Sequence, residues 1–189
     1  MRKKFIITVI ILLGISGIVW ALGYFPVARI NDEYIFYRTY QERTGALMLF
    51  ESKSRLVAGE KQLSDAEKNE TKKSILENLI TEQIFGQYIG EHAALSGLTD
   101  LAHAVVESTL KDADPDVLPR ATKELYGWSM EEFKQNVLYP QALQNELQKA
   151  IESDGASFEE FTKTQLENAE VTLYLIPWKW EKGGLVGKQ

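Results

Sequence analysis

The chain has 189 residues, 44% of them hydrophobic, with 27 acidic against 21 basic side chains and no cysteine. A chain of this length buries a core without cross-links, and the absence of thiols excludes disulfides, a cysteine nucleophile and a lipid anchor on cysteine. The formal charge of −6 sets the surface against phosphate backbones, so nucleic acid is not an expected partner.

The first element is apolar. Residues 5–25 carry no charge and follow Arg2, Lys3 and Lys4; as a helix they would reach about 31 Å, the thickness of a bilayer's hydrocarbon core. Trp20, Tyr24 and Phe25 suit the aromatic belt of a membrane interface, and the basic cluster ahead of the run places the amino end in the cytoplasm and the rest outside. Residues 1–25 therefore read as a cytoplasmic stub and transmembrane anchor. Val19-Trp20-Ala21 leaves a cleaved signal peptide, with a secreted product, as the alternative.

Residues 27–30 and 33–36 are short β-prone runs around Asn31-Asp32, which predicts a β-hairpin. A lone hairpin is marginal in water, so a third strand or a helix is needed to cover it. From Tyr37 the period turns helical, with Tyr37, Tyr40, Thr44, Leu47 and Met48 on one side. After the break "AGEKQLSD", Ser64 and Glu67 form a capping box for a long helix with Leu76, Leu79, Ile80, Gln83, Ile84 and Tyr88 inward. Ser96-Gly97 predicts a left-handed stop, and Thr99 then caps a shorter helix with Leu101, Val105 and Thr109 inward.

The turn "DADPD" (112–116) precedes a helix over 117–125 that ends at Gly127. Ser129 with Glu132 makes a second capping box, opening a seam of Phe133, Val137, Pro140, Gln144, Leu147 and Ile151, with a kink expected at Pro140. "ESDGAS" (152–157) is a joint. Ser157 with Glu160 starts a last helix over 158–168, with Phe158, Phe161, Thr162 and Leu166 inward. A β-prone run follows at 171–176, and residues 177–189 read as a tail.

Chemistry-bearing patterns are scarce. His92 and His103 match no zinc-protease spacing, and no Gly-x-Ser-x-Gly is present. The final "GGLVGKQ" fails as a phosphate loop, having Lys182 where glycine is required and Gln189 where Ser or Thr is. Glu131/Glu132 and Glu159/Glu160 open predicted helices, where carboxylates favour the dipole. No catalytic, cofactor or metal residue is expected, and the chain reads as a non-enzyme.

Three stretches, "VARINDEYIFY" (27–37), "SILENLITEQIFGQYIGEHAALSGLT" (74–99) and "ATKELYGWSMEEFKQNVLYPQALQNEL" (121–147), resemble in order and spacing the N-terminal chaperone domain of the SurA, PrsA and PpiD family of exported foldases. The resemblance implies a mostly α fold with a small β-sheet over residues 26–176. In it "SFEEFTKTQLENAEVTLYLI" (157–176) returns from the far end and lays its strand, residues 171–176, beside the hairpin. Family members usually insert parvulin isomerase domains before that return. Here only "ESDGAS" stands there, so isomerase activity is not implied.

What the resemblance does imply is a holdase-like chaperone, tethered to a bacterial plasma membrane with its domain outside the cytoplasm. It would bind unfolded or partly folded exported proteins in an apolar and aromatic groove, for which Tyr37, Tyr40, Leu47, Tyr88, Trp128, Phe133 and Tyr139 are the candidates. The other reading is a scaffold that docks one dedicated membrane or envelope partner. Oligomeric state is left open.

Overall fold

The two ends of the folded chain meet in one sheet. The computed structural model describes residues 22–111 and 113–188. Strands β1 (Pro26–Ile30) and β2 (Glu33–Phe36) form the expected hairpin, with Asn31 at φ 51° in its turn. On the other side of β1 lies β3 (Val171–Leu173), antiparallel, with Ala28 opposite Leu173 and Ile30 opposite Val171, giving the order β2-β1-β3. The predicted return is therefore present, with a shorter strand than 171–176. Tyr174 N–H adds one bond to the Val27 carbonyl at 2.9 Å. Leu175 then takes φ 56° and is 70% exposed, which ends the extended run.

Asn31 locks this return. Its N–H donates to the Glu170 carbonyl at 2.8 Å while its Oδ1 accepts from Glu170 N–H at 3.1 Å. Its Nδ2 donates to Gln87 Oε1 at 2.6 Å, and Gln87 Nε2 donates to the Ile30 carbonyl at 3.1 Å. One turn residue thus joins the hairpin, the returning chain and a helix.

Helix α1 (Tyr37–Ala58) follows β2 without a loop. Its first free N–H groups, at Tyr37 and Arg38, donate to the carbonyls of Phe25 (2.9 Å) and Gly23 (3.0 Å). Gly23 is at φ 73°, and a Cβ there would lie 3.3 Å from Arg38 N. Phe25 stacks on Tyr37 at 4.7 Å, and Arg38 donates to Tyr24 Oη at 2.7 Å. Residues 22–25 are thus a turn tied to α1, and the anchor expected over 1–25 does not run helically to Phe25. Residues 1–21 of that expectation lie outside the described residues, among which no helix is long and apolar enough to cross a membrane.

Helix α2 (Asp65–Glu91) opens with the predicted capping box: Ser64 Oγ accepts from Glu67 N–H, and Glu67 accepts from Ser64 N–H at 2.8 Å. The predicted stripe is too narrow, because Ile75, Phe85 and Ile89 are buried as well. The reason is position: β1, α1 and three later elements all pack on α2. Leu76 and Ile80 are fully enclosed, each contributing roughly 1.5–3 kcal/mol of apolar burial.

The expected stop at Ser96-Gly97 is corrected. Helix α2 ends at His92, which is extended, one 3₁₀ turn (Ala93–Leu95) follows, and Gly97 does not take the left-handed conformation. Helix α3 (Leu98–Lys111) is also rotated from the expected phase, burying Leu98, Ala102 and Val106 and leaving Leu101 and Val105 exposed. Its packing partner explains this. Ala102 and Val106 share a cluster with Ala142, and small side chains let two helix backbones approach where Leu101 and Val105 would hold them apart.

Helix α4 (Val117–Tyr126) is started by Asp114 Oδ1, which accepts from the N–H groups of Asp116 and Val117, and ends at Gly127, φ 75°. Then α5 (Met130–Phe133), capped by Ser129 and Glu132, passes through one π turn (134–138) into α6 (Tyr139–Ser153). The π turn is how the rod absorbs Pro140, which has no N–H to give and crowds the preceding turn. Helix α7 (Phe158–Asn168) brings Phe158, Phe161 and Leu166 against the core.

The boundary placed at Ile176 is not where packing stops. Strands β4 (Trp178–Glu181) and β5 (Gly184–Gly187) form a second hairpin around Lys182 (φ 51°) and Gly183 (φ 80°). Leu185 is 3% exposed, and its N–H donates to Glu77 Oε1 on α2 at 2.9 Å. Both tryptophans of "WKW" pack against the main core from this hairpin.

Candidate functional site

Helices α1 and α2 and the α5–α6 rod do not meet along their whole length, and two adjoining cavities of about 350 Å³ each lie between them. The first is walled by Leu47, Ile75, Tyr126, Trp128, Val137 and Pro140. The second is walled by Tyr34 and Phe36 of β2 with Leu79, Phe85, Tyr139 and Leu143. Arg43, Glu82, Pro140 and Gln144 line both. Each cavity has the size of a small ligand pocket, and together they make a groove.

A polar rib crosses it. Arg43 Nη1 donates to Glu82 Oε1 at 2.7 Å, and Arg43 Nε donates to Asn136 Oδ1 at 3.1 Å. These bonds tie α1 to α2 and to the π turn. With the Arg43 side chain only 13% exposed and Glu82 30%, the pair is better shielded than a surface ion pair.

The outer wall of the first cavity is an aromatic stack. Tyr126 lies 4.9 Å from Phe50 at an interplanar angle of 4°, 5.9 Å from Trp128 and 5.2 Å from Phe133. Burial pushes the Tyr126 hydroxyl pKa up. Gly127 brings these rings together by turning the chain left-handed between them, with Leu49 of α1 packed 3.5 Å from where its Cβ would be. In the second cavity Tyr139 is held by stacking on His103 at 4.3 Å.

Of the seven residues singled out from sequence, the groove gathers Leu47, Trp128 and Tyr139 as lining, with Phe133 behind them in the stack. The other three lie elsewhere. Tyr40 is 4% exposed in the main core, where burial first and the neighbouring Tyr37 second push its pKa up to about 12. Tyr37 is covered by Phe25. Tyr88 packs on His92 and Phe161, near the returning helix.

The chain matches no family model, no curated protein and no solved structure. The likeness to exported foldases rests on its quoted motifs and their order.

The seven candidates did not include Tyr126, Phe50, Tyr34, Phe36 or Leu143. For Tyr126 a signal existed: "LYGW" sets two aromatics astride a helix-ending glycine, which predicts rings exposed at a helix end. For Tyr34 and Phe36 it was strand alternation, which puts both opposite the buried Ile35. Phe50 and Leu143 carry no comparable mark, since only the packing angle of their helices brings them to the groove. As a whole, the site offers apolar area, side-chain amides and one ion pair satisfied by its own partners.

Proposed function

We propose that the chain is a holdase-type chaperone that takes unfolded stretches of exported polypeptide into the groove between α1, α2 and the α5–α6 rod, outside the cytoplasm and beside the membrane. The observation that carries this reading is the pair of adjoining cavities, lined by aromatic and aliphatic side chains on separate helices and joined past the Arg43–Glu82 rib. Apolar contact gives about 2.5 kcal/mol for each 100 Å² or so removed from water, before the cost of ordering the guest. Shallow cavities therefore suit reversible capture with broad sequence tolerance. The resemblance supplies the client class and the location.

The test uses the full chain in lipid nanodiscs with a chemically unfolded client. Near-stoichiometric amounts are expected to suppress the client's light scattering, and Trp128→Ala with Tyr139→Ala is expected to weaken that suppression while the domain stays folded. Scattering unchanged by the wild-type chain overturns the proposal. In-cell crosslinking from an introduced residue at Trp128 separates it from the scaffold reading: a spread of clients supports the chaperone, one dominant partner the scaffold.

A further inference from the structure

Strand β2 is an edge of its sheet, and its outer side faces the second cavity: Tyr34, Ile35 and Phe36 line that cavity together with Phe85, Tyr139 and Leu143. Antiparallel pairing alternates. With a two-residue turn closed by the pair Ile30 and Glu33, the next residue, Tyr34, directs its backbone N–H and C=O away from β1. Among the described residues no backbone hydrogen bond outside the β1 ladder reaches Tyr34. An open edge of this kind is usually covered, bulged away or charged; here it is left inside an apolar recess.

We propose that the occupant of this recess is an extended segment of the client, added as a fourth strand to the free edge of β2. This rests on the function proposed above and specifies how the guest is held. An extended backbone satisfies the outward N–H and C=O of Tyr34 whatever side chains it carries, and that is the shared chemistry of unfolded chains. Alternate side chains of the guest would enter the cavity against Phe85 and Leu143 while the others lie over Tyr34 and Phe36. Side-chain amides, Gln83 and Gln144, line the recess and accept polar guest residues.

The experiment takes the full chain in nanodiscs and an eight-residue peptide of alternating valine and threonine, alongside a second peptide whose central four amides are replaced by esters. The esters keep every side chain and remove backbone donors. Strand addition is expected to weaken binding of the ester peptide by about tenfold, the worth of one or two backbone hydrogen bonds, and to give intermolecular Hα-to-amide nuclear Overhauser contacts at Tyr34. Equal affinity of the two peptides, or contacts only to side chains of α2 and α6, overturns strand addition while leaving groove binding intact. Concentration-dependent dimers that pair β2 with β2 without peptide also overturn it. If neither peptide binds and unfolded clients are not held either, the functional proposal itself fails.

Discussion

The closure and the groove are built on the same central helix α2 by different means. At the closure, β3, Asn31, Gln87 and the second hairpin fix the late part of the chain to the early part with short, directional hydrogen bonds, over a floor of Ile30, Leu76 and Ile80 that no water reaches. At the groove, the packing of α1 and the α5–α6 rod on α2 leaves space between them, and the Arg43 rib bridges it. One side is specified atom by atom; the other is specified as a separation between walls. A surface that must accept many sequences needs the second kind, and the first holds the walls in place.

The largest effect that would break the contrast lies in the closure. Ile30→Ala removes a fully buried side chain from β1 and is expected to cost about 2–5 kcal/mol, read as a fall in denaturant midpoint. Leu143→Ala, on the half-buried groove wall, is expected to cost less and to lower client binding instead. Equal destabilisation by the two would mean that the groove wall is core. Next comes Asn31→Ala, which loses the bonds to Glu170 and Gln87 and places a Cβ-bearing residue without amide compensation at φ 51°; about 1–3 kcal/mol is expected. Asn31→Gly keeps the backbone freedom without the bonds, so the difference between the two variants measures strain apart from hydrogen bonding.

The same contrast explains what the sequence made legible. Capping boxes at Ser64 and Ser129, the Asn31 turn and the hairpin strands are local, set by residues three or four apart, and each is found where the pattern puts it. The return of β3 was legible through the resemblance and through the hairpin's need for a partner. What failed depends on a neighbour far along the chain. The phase of α3 turns on Ala142, about forty residues later, because the two apolar stripes of α3 are equivalent until a partner of given girth is chosen. The second hairpin was missed because "WKWEKGGLVG" is rich in glycine, and Lys182 at positive φ hides a tight turn that Asn or Gly would have announced. The groove was half legible, since residue type predicts an aromatic surplus and only helix spacing decides which rings stay uncovered.

Removing the rib sharpens the contrast with a smaller effect. Arg43→Met keeps the length of the side chain and breaks the bonds to Glu82 and Asn136. Because Glu82 is partly exposed and can take up water, the stability cost is expected to stay near or below about 1 kcal/mol. Client affinity is expected to rise, since no side chain then bridges the two cavities, although the Glu82 carboxylate stays in their lining. Measured by titration of a fluorescent unfolded client, unchanged affinity with a large loss of stability would recast Arg43 as a strut of the fold.

The smallest effect concerns acid. Hydrogen bonds from the Ser64 hydroxyl and the Ser64 backbone, then from Arg55, lower the pKa of Glu67 from 4.5 to about 2, and the backbone and hydroxyl of Ser129 hold Glu132 below its ordinary value in the same way. A carboxylate whose pKa is depressed on folding contributes its full stability above its unfolded pKa and loses it as pH falls toward the folded one. The contribution of Glu67 is therefore expected to be complete above about pH 4.5 and to fade toward about pH 2. Glu67→Gln should flatten the melting temperature across that window, and adding Glu132→Gln should flatten it further. The Asn31 lock is made by amides and backbone, so the penalty of Asn31→Ala should stay constant from pH 7 down through the same window. If that penalty instead shrinks in step with the acid loss at Glu67, the closure and the helix caps unfold as one unit, and the division between a fixed side and an adjustable side ends there.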